Sequence, residues 1–170
     1  MPESWTYIVD EPRRTELLKG YGLSNRVIGL GVDGDWSHEA FGFCCRKPMG
    51  YSDDPNEESG DVVVGIFETD RDESFSCRKR GDILEFVSFE LKDPLNLKVL
   101  GTSIQSLLAV LFEDLVQSEG YNRWELKKAA TCVGFEHLQD LYDFMMNALP
   151  LGLRGYDARL LEFVLGLSKN

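Results

Sequence analysis

The stretch Val62-Val63-Val64-Gly65-Ile66-Phe67, flanked by Asp61 and by Glu68-Thr69, decides the fold of this chain. A near-continuous apolar run of this length suits a central strand of a sheet. Working outward, Ser74 to Arg80 and Asp82 to Leu91 read as two further strands around a Gly81-Asp82 turn. In the second of them Val87, Phe89 and Leu91 alternate against Phe86 and Ser88. Leu97 to Leu100 is a further short strand. On the other side, residues 48 to 60 carry Pro48, Gly50, Pro55 and Gly60 among acids, which marks a loop. Before that loop, Ala40 to Lys47 reads as a strand with Phe41, Phe43 and Cys45 on one face.

The two ends of the chain change period. The first thirty residues read as short helices: Thr15 to Lys19 is a small amphipathic stretch stopped by Gly20 and Gly22, and Ser24 can cap a turn through Val27 and Ile28. From Thr102 onward the pattern is helical. Thr102-x-x-Gln105 has the form of a capping box, and Ile104, Leu107, Leu108, Leu111, Phe112 and Leu115 follow at i, i+3, i+4 spacing. Gly120 stops that helix. Asn122-x-x-Glu125 caps a second helix, lined by Leu126, Ala129, Ala130 and Val133 and ended by Gly134. A third runs from about Phe135 to Asn147, and Asp157 caps a last one through Leu160, Leu161, Val164 and Leu165. Strands in the middle and helices at both ends predict an α+β fold. A central antiparallel or mixed twisted sheet from about residue 38 to 100 is expected, crossed by a helix over 103–118. The expected organisation is an α+β domain over residues 1–120, with a helical extension over 121–170 packed on the same domain.

Composition sets the function classes. With 170 residues and 43% apolar side chains, one domain with a real core is expected. The formal charge of −11 repels phosphate backbones and anionic lipid, so neither nucleic acid nor membrane is an expected partner, whereas a basic protein is. No apolar run approaches the ~20 residues of a membrane span. Met1 to Asp10 lacks a basic stretch ahead of an apolar one, so no secretory leader is expected. Cys44, Cys45, Cys77 and Cys132 form no C-x-x-C pair; free thiols in a core suit a reducing cytoplasm.

Motifs for chemistry are weak. Gly29-Leu30-Gly31-Val32-Asp33-Gly34 matches G-x-G-x-x-G, but no helix is expected after it to meet a pyrophosphate, so no nucleotide cofactor is expected. Asp33 to Ser37 resembles the start of a calcium loop, yet His38 and Cys44 stand where that loop needs Gly and Glu, so no metal is expected. His38, beside Asp35 and Glu39, reads as a solvated turn histidine, and His137 lies in another element. Met145-Met146, near Tyr142 and Leu149, reads as core filler. Asp82 with Glu90-Leu91-Lys92 has the acidic, acidic-x-lysine arrangement of metal-dependent nucleases, which supplies the enzyme alternative, a hydrolase using Asp82, Glu90 and Lys92. No catalytic residue is otherwise expected.

The most distinctive surface stretch is acidic. Asp53, Asp54, Glu57, Glu58, Asp61, Glu68, Asp70, Asp72 and Glu73 are opposed within residues 53–73 only by Arg71. The expected partner-binding residues are Asp53, Asp54, Glu57, Glu58, Asp70, Asp72 and Glu73, with Trp36 and Tyr51 as aromatic anchors.

From Val62 to Leu115 the chain resembles the SMI1/KNR4 (SUKH) superfamily. The features are the apolar strand Val62 to Phe67, the strand holding Phe86-Val87-Ser88-Phe89, and Thr102-Ser103-Ile104-Gln105-Ser106-Leu107-Leu108 leading into Leu111 to Leu115. The resemblance implies an α+β fold without catalysis. It also implies a bacterial immunity protein, which binds and neutralises a cognate toxin, often a nuclease; an acidic surface would be steered to a basic nuclease cleft. A scaffold or regulatory module of a larger assembly is the remaining alternative.

Overall fold

A computed structural model of the chain describes residues 5–32, 38–49, 61–118 and 120–169. It is an α+β fold built on a curled, mixed five-stranded sheet. The strands are β1 (Trp5–Ile8), β2 (Asp61–Glu68), β3 (Glu73–Arg80), β4 (Ile83–Glu90) and β5 (Asp93–Gly101), side by side in chain order. Pairs β2–β3, β3–β4 and β4–β5 are antiparallel. β1 runs parallel to β2, with Trp5 opposite Asp61 and Ile8 opposite Val64. Gly81, at φ +60°, takes the first position of the two-residue β3–β4 turn, the place a type II′ hairpin reserves for glycine.

A bulge between Gly65 and Phe67 explains the apolar run of β2. Strict alternation would put Ile66 and Phe67 on opposite faces. The extra residue lets Val64, Ile66 and Phe67 all enter the main core, while Gly65 and Glu68 face the other way. The main core also takes Phe75, Cys77, Phe86 and Leu100 from the sheet. Val63, Val87 and Phe89 form a second, smaller core on the opposite face, with Trp5 and Tyr7 against them. The rings of Trp5 and Phe89 lie 4.8 Å apart, and those of Tyr7 and Phe89 5.1 Å. Three strand spacings separate β1 from β4, about 14 Å in a flat sheet. The sheet therefore curls toward this face, and the aromatic rings span what remains.

Helices cover the convex face. They are α1 (Arg13–Gly20), α2 (Asn25–Ile28), α3 (Phe41–Cys44), α4 (Ile104–Gln117), α5 (Arg123–Val133), α6 (Leu138–Ala148) and α7 (Tyr156–Gly166). α4 crosses β4 and β5, and Phe112 on it stacks on Phe135 at 4.9 Å. Leu126, Ala129, Leu141 and Val164 of the later helices join the same continuous core as Val64 and Phe67.

Several local expectations are corrected. The first thirty residues are not all helical, because Trp5–Ile8 is a strand of the sheet. Ala40 to Lys47 is not a strand: Phe41–Cys44 forms a helical turn, and only Arg46 bridges to Glu68. Ala40, Phe41, Cys44 and Cys45 are buried, an i, i+1, i+4, i+5 set that a helical turn gathers on one side. The sheet thus uses residues 5–8 and 61–101 rather than 38–100.

Ser103, not Thr102, caps α4, accepting from the Gln105 N–H, and Gln105 spends its side chain on Gly134 and Glu136. Helix α6 starts at Leu138, later than Phe135. Gly155 rather than Asp157 occupies the N-cap of α7. The Asn122–Glu125 capping box and the Ser24 cap form as expected. Met145 is core, but Met146 is exposed.

The glycine motif has a packing role. Gly29–Gly31 is a turn of 3₁₀ helix, and a Cβ on Gly31 would lie 2.0 Å from the Ile66 carbonyl oxygen. Beside it Arg14 is fully buried. Its Nε donates to the Gly65 carbonyl at 2.6 Å, and its Nη2 donates to the carbonyls of Ile66 at 2.5 Å and Ile28 at 3.3 Å. Arg14 Nη1 also bonds the Glu11 carboxylate at 2.7 Å. One guanidinium thus stitches α1 and α2 to β2.

Candidate functional site

The β2–β3 turn holds the described part of the acidic surface. Asp72 sits there at φ +57°, a conformation aspartate tolerates better than most residues. Its carboxylate is not bare. Arg46 Nη2 reaches Oδ1 at 2.9 Å, and Lys92 Nζ lies 3.6 Å from Oδ2. The Arg46 hydrogen bond is the main reason its carboxyl is held below the usual aspartate range. Glu73 is half-buried, and burial pushes its carboxyl up, partly offset by a hydrogen bond from Ser88. Asp70 is exposed. Arg71 Nη1 pairs with Asp114 of α4 at 3.2 Å, across a pocket of about 330 Å³ lined also by Cys44, Gln117 and Tyr121.

Of the expected binding residues, the structure places Asp70, Asp72 and Glu73 together in this turn. Trp36, Tyr51, Asp53, Asp54, Glu57 and Glu58 lie outside the described residues. Arg46 and Lys92 were not expected here, since chain distance hides them. Arg46 arrives because the segment after α3 bridges to Glu68 at the end of β2.

A second polar group lies on the concave face. The bulge in β2 turns Glu68 toward it, and the alternation of β3 puts Ser74 and Ser76 there. Tyr7 Oη bonds Ser74 Oγ at 2.6 Å and donates to Glu68 Oε1 at 3.1 Å, and Ser74 and Ser76 are 2.7 Å apart. Burial, then the Glu68 charge, push the Tyr7 hydroxyl well above the ordinary tyrosine range, so it acts as a donor. The signal available in the sequence is Ser74-x-Ser76 set between Phe75 and Cys77.

The enzyme constellation does not assemble. Asp82 precedes β4 and Glu90 ends it, so the strand holds them roughly 25 Å apart. Lys92 is spent on Asp72. Burial holds Cys77 as a thiol, its pKa pushed up to about 12, and raises Cys45, whose sulfur lies 3.7 Å from that of Cys44. His38 uses Nδ1 to accept from the Ala40 N–H, and His137 Nδ1 lies 2.8 Å from Asp140. Among the described residues no group of three or more His, Cys, Asp or Glu side chains is placed to hold a metal ion. No helix among them is long and apolar enough to cross a membrane.

Charge is unevenly divided along the chain. Residues 121–170 carry six acidic and six basic side chains, so the whole net charge of −11 belongs to residues 1–120. In that part Arg14, Arg46, Arg71, Arg78, Arg80 and Lys92 are already engaged by carboxylates. No family model, curated protein or solved structure matches the chain.

Proposed function

We propose that this chain is a non-catalytic, cytoplasmic binding module that docks on a basic protein, as an immunity protein of the SMI1/KNR4 type docks on a toxin domain. The observation that carries this is the concentration of all surplus negative charge in residues 1–120, where many of the cations are already paired. Such a field steers a basic partner and speeds encounter. Asp53, Asp54, Glu57 and Glu58, with Asp70 in the turn, form the proposed rim, and Trp36 and Tyr51 are its proposed anchors. Asp72 serves the fold as much as the rim, because it ties Arg46 and Lys92 to the turn.

The test is the association rate with a purified basic nuclease-toxin domain, measured against ionic strength. Reversing Asp53, Asp54, Glu57 and Glu58 to lysine should slow association tenfold or more, an order-of-magnitude expectation, at low salt and far less at high salt. Equal rates at every salt concentration would remove the rim from the proposal.

A scaffold role has one observation of its own. Met146, Leu151 and Leu153, in and just after α6, are 68%, 71% and 80% exposed. If serine at these three positions abolishes partner capture while the lysine reversals leave it intact, the scaffold role replaces the acidic one.

A further inference from the structure

The C-terminal helices hold a pocket that plays no part in the acidic surface. It lies between α5 and α6, with a volume of about 360 Å³. Its floor is apolar, from Ala130, Phe135 and Leu138, and Arg123, Lys127 and Tyr142 stand around it. A volume near 300 Å³ is the lower end of the range for small-molecule sites.

Two independent features point to a ligand. Tyr142 is only 9% exposed, and its hydroxyl is buried with no hydrogen-bond partner among the described residues. A buried hydroxyl without a partner is costly, and such groups concentrate where something else completes them. The second feature is charge. The Arg123 guanidinium lies 4.4 Å above the Tyr142 ring, and Lys127, one helical turn on, stands on the same wall. Among the described residues no carboxylate pairs with either, so both charges are open to an anion. Glu136 also lines the pocket, so its walls carry two positive charges and one negative.

We infer that this pocket binds a small organic monocarboxylate, with its carboxylate against Arg123, Lys127 and the Tyr142 hydroxyl and its apolar or aromatic body on Phe135 and Leu138. The net charge of the walls matches a single negative charge, and Glu136 disfavours a phosphate dianion. Arginine and a hydroxyl both donate to a carboxylate, and the apolar floor takes the body of the ligand.

The experiment uses the whole chain and amide chemical-shift mapping with four probes: benzoate, benzyl alcohol, acetate and phenyl phosphate. Benzoate should give saturable shifts confined to residues around 123–142, with a roughly millimolar constant, as befits a ligand of its size. Acetate, benzyl alcohol and phenyl phosphate should each bind more weakly. Arg123 and Lys127 are exposed, so Arg123→Gln and Lys127→Gln leave the core untouched. Arg123→Gln should weaken benzoate at least about tenfold. Tyr142→Phe keeps the ring and should weaken it several-fold while the melting temperature holds or rises. Absence of saturable shifts with benzoate overturns the inference. So does equal affinity for benzyl alcohol, or benzoate binding that Arg123→Gln and Tyr142→Phe both leave unchanged.

Discussion

Arg14→Met isolates one guanidinium whose removal should loosen α1 and α2 from β2. Methionine keeps most of the aliphatic stem and drops the planar fork. Three main-chain carbonyls then lose a donor: Gly65 at 2.6 Å, Ile66 at 2.5 Å and Ile28 at 3.3 Å. Each buried group left unpaired costs about 1–3 kcal/mol, and the two short bonds weigh most. The opposing gain is that methionine need not be stripped of water as a guanidinium must. Arg14 is fully buried, so bulk water does not reach the freed carbonyls directly.

The loss should therefore be about 3–4 kcal/mol, a large part of the 5–15 kcal/mol a domain holds. Glu11 is the carboxylate paired with this buried guanidinium, so Glu11→Gln, which keeps an acceptor oxygen but not the charge, should cost about 1–3 kcal/mol. Urea unfolding followed by tryptophan fluorescence reads the difference. With a slope of ~2–3 kcal/mol per molar, the midpoint should fall by more than about 1 M. Arg14→Lys, with a point donor in place of a fork, should lie about halfway. If the methionine variant unfolds within about 0.3 M of the parent, the stitch is decorative and the reasoning fails.

Glycine substitutions should separate packing from backbone freedom: Gly31→Ala should cost about 2–3 kcal/mol or prevent folding, whereas Gly20→Ala, whose Cβ meets nothing within 4 Å at the end of α1, should stabilise by about 0.5 kcal/mol. Paired chemical denaturation of the two variants checks this. Glu113 lies between α4 and α7, accepting from Tyr156 Oη at 2.9 Å and from Gln117. Burial pushes its carboxyl up, hydrogen bonds from Tyr156 and Gln117 pull it back, and Asp114 and Asp157 push it up further, for a net rise. Its folded value exceeds its unfolded one, so the stability it lends is complete below the unfolded value and is lost as pH rises through the folded one. Glu113→Gln should therefore gain on the parent as pH rises above the ordinary glutamate value of 4.5, and a difference in urea midpoint that stays unchanged as pH rises would contradict it. Of the thiols, Cys132 is half-exposed while Cys44, Cys45 and Cys77 are buried. A thiol reagent should thus modify Cys132 first in the native state, and the other three only on unfolding, as read by mass spectrometry.

The antiparallel part of the sheet was legible because its signals are local. β2, β3 and β4 each show their strand character within eight residues, and the Gly81 turn sits where the hairpin needs it. Helices α4 to α7 were legible from their apolar spacing. β1 was not, because Trp5-Thr6-Tyr7-Ile8 is too short to declare a period and its partner is far along the chain. α3 was misread because a short apolar segment satisfies both periods, and only packing on Phe112 chooses between them. Arg14 looked like any cation of a surface helix; Gly31, whose lack of a side chain makes room for it, was noticed for another reason. The acidic turn was visible as charge, but its cations Arg46 and Lys92 come from elsewhere in the chain. The pocket of Arg123, Lys127 and Tyr142 depends on how α6 folds back along α5, which spacing within either helix does not state.

The parallel edge strand has a consequence for the order of assembly. β1 precedes the other four strands in the chain, yet it must be among the last elements to find its place, since Trp5 pairs with Asp61. Closing a loop of that length costs about 3–4 kcal/mol of chain entropy. Four residues of ladder cannot repay that alone. The repayment comes from the rings of Trp5 and Tyr7 closing on Phe89, which exists as a surface only after β3 and β4 have joined. Strand β1 therefore works as a latch on a finished sheet, and how firmly it is thrown reports on whether the curl beneath it is complete.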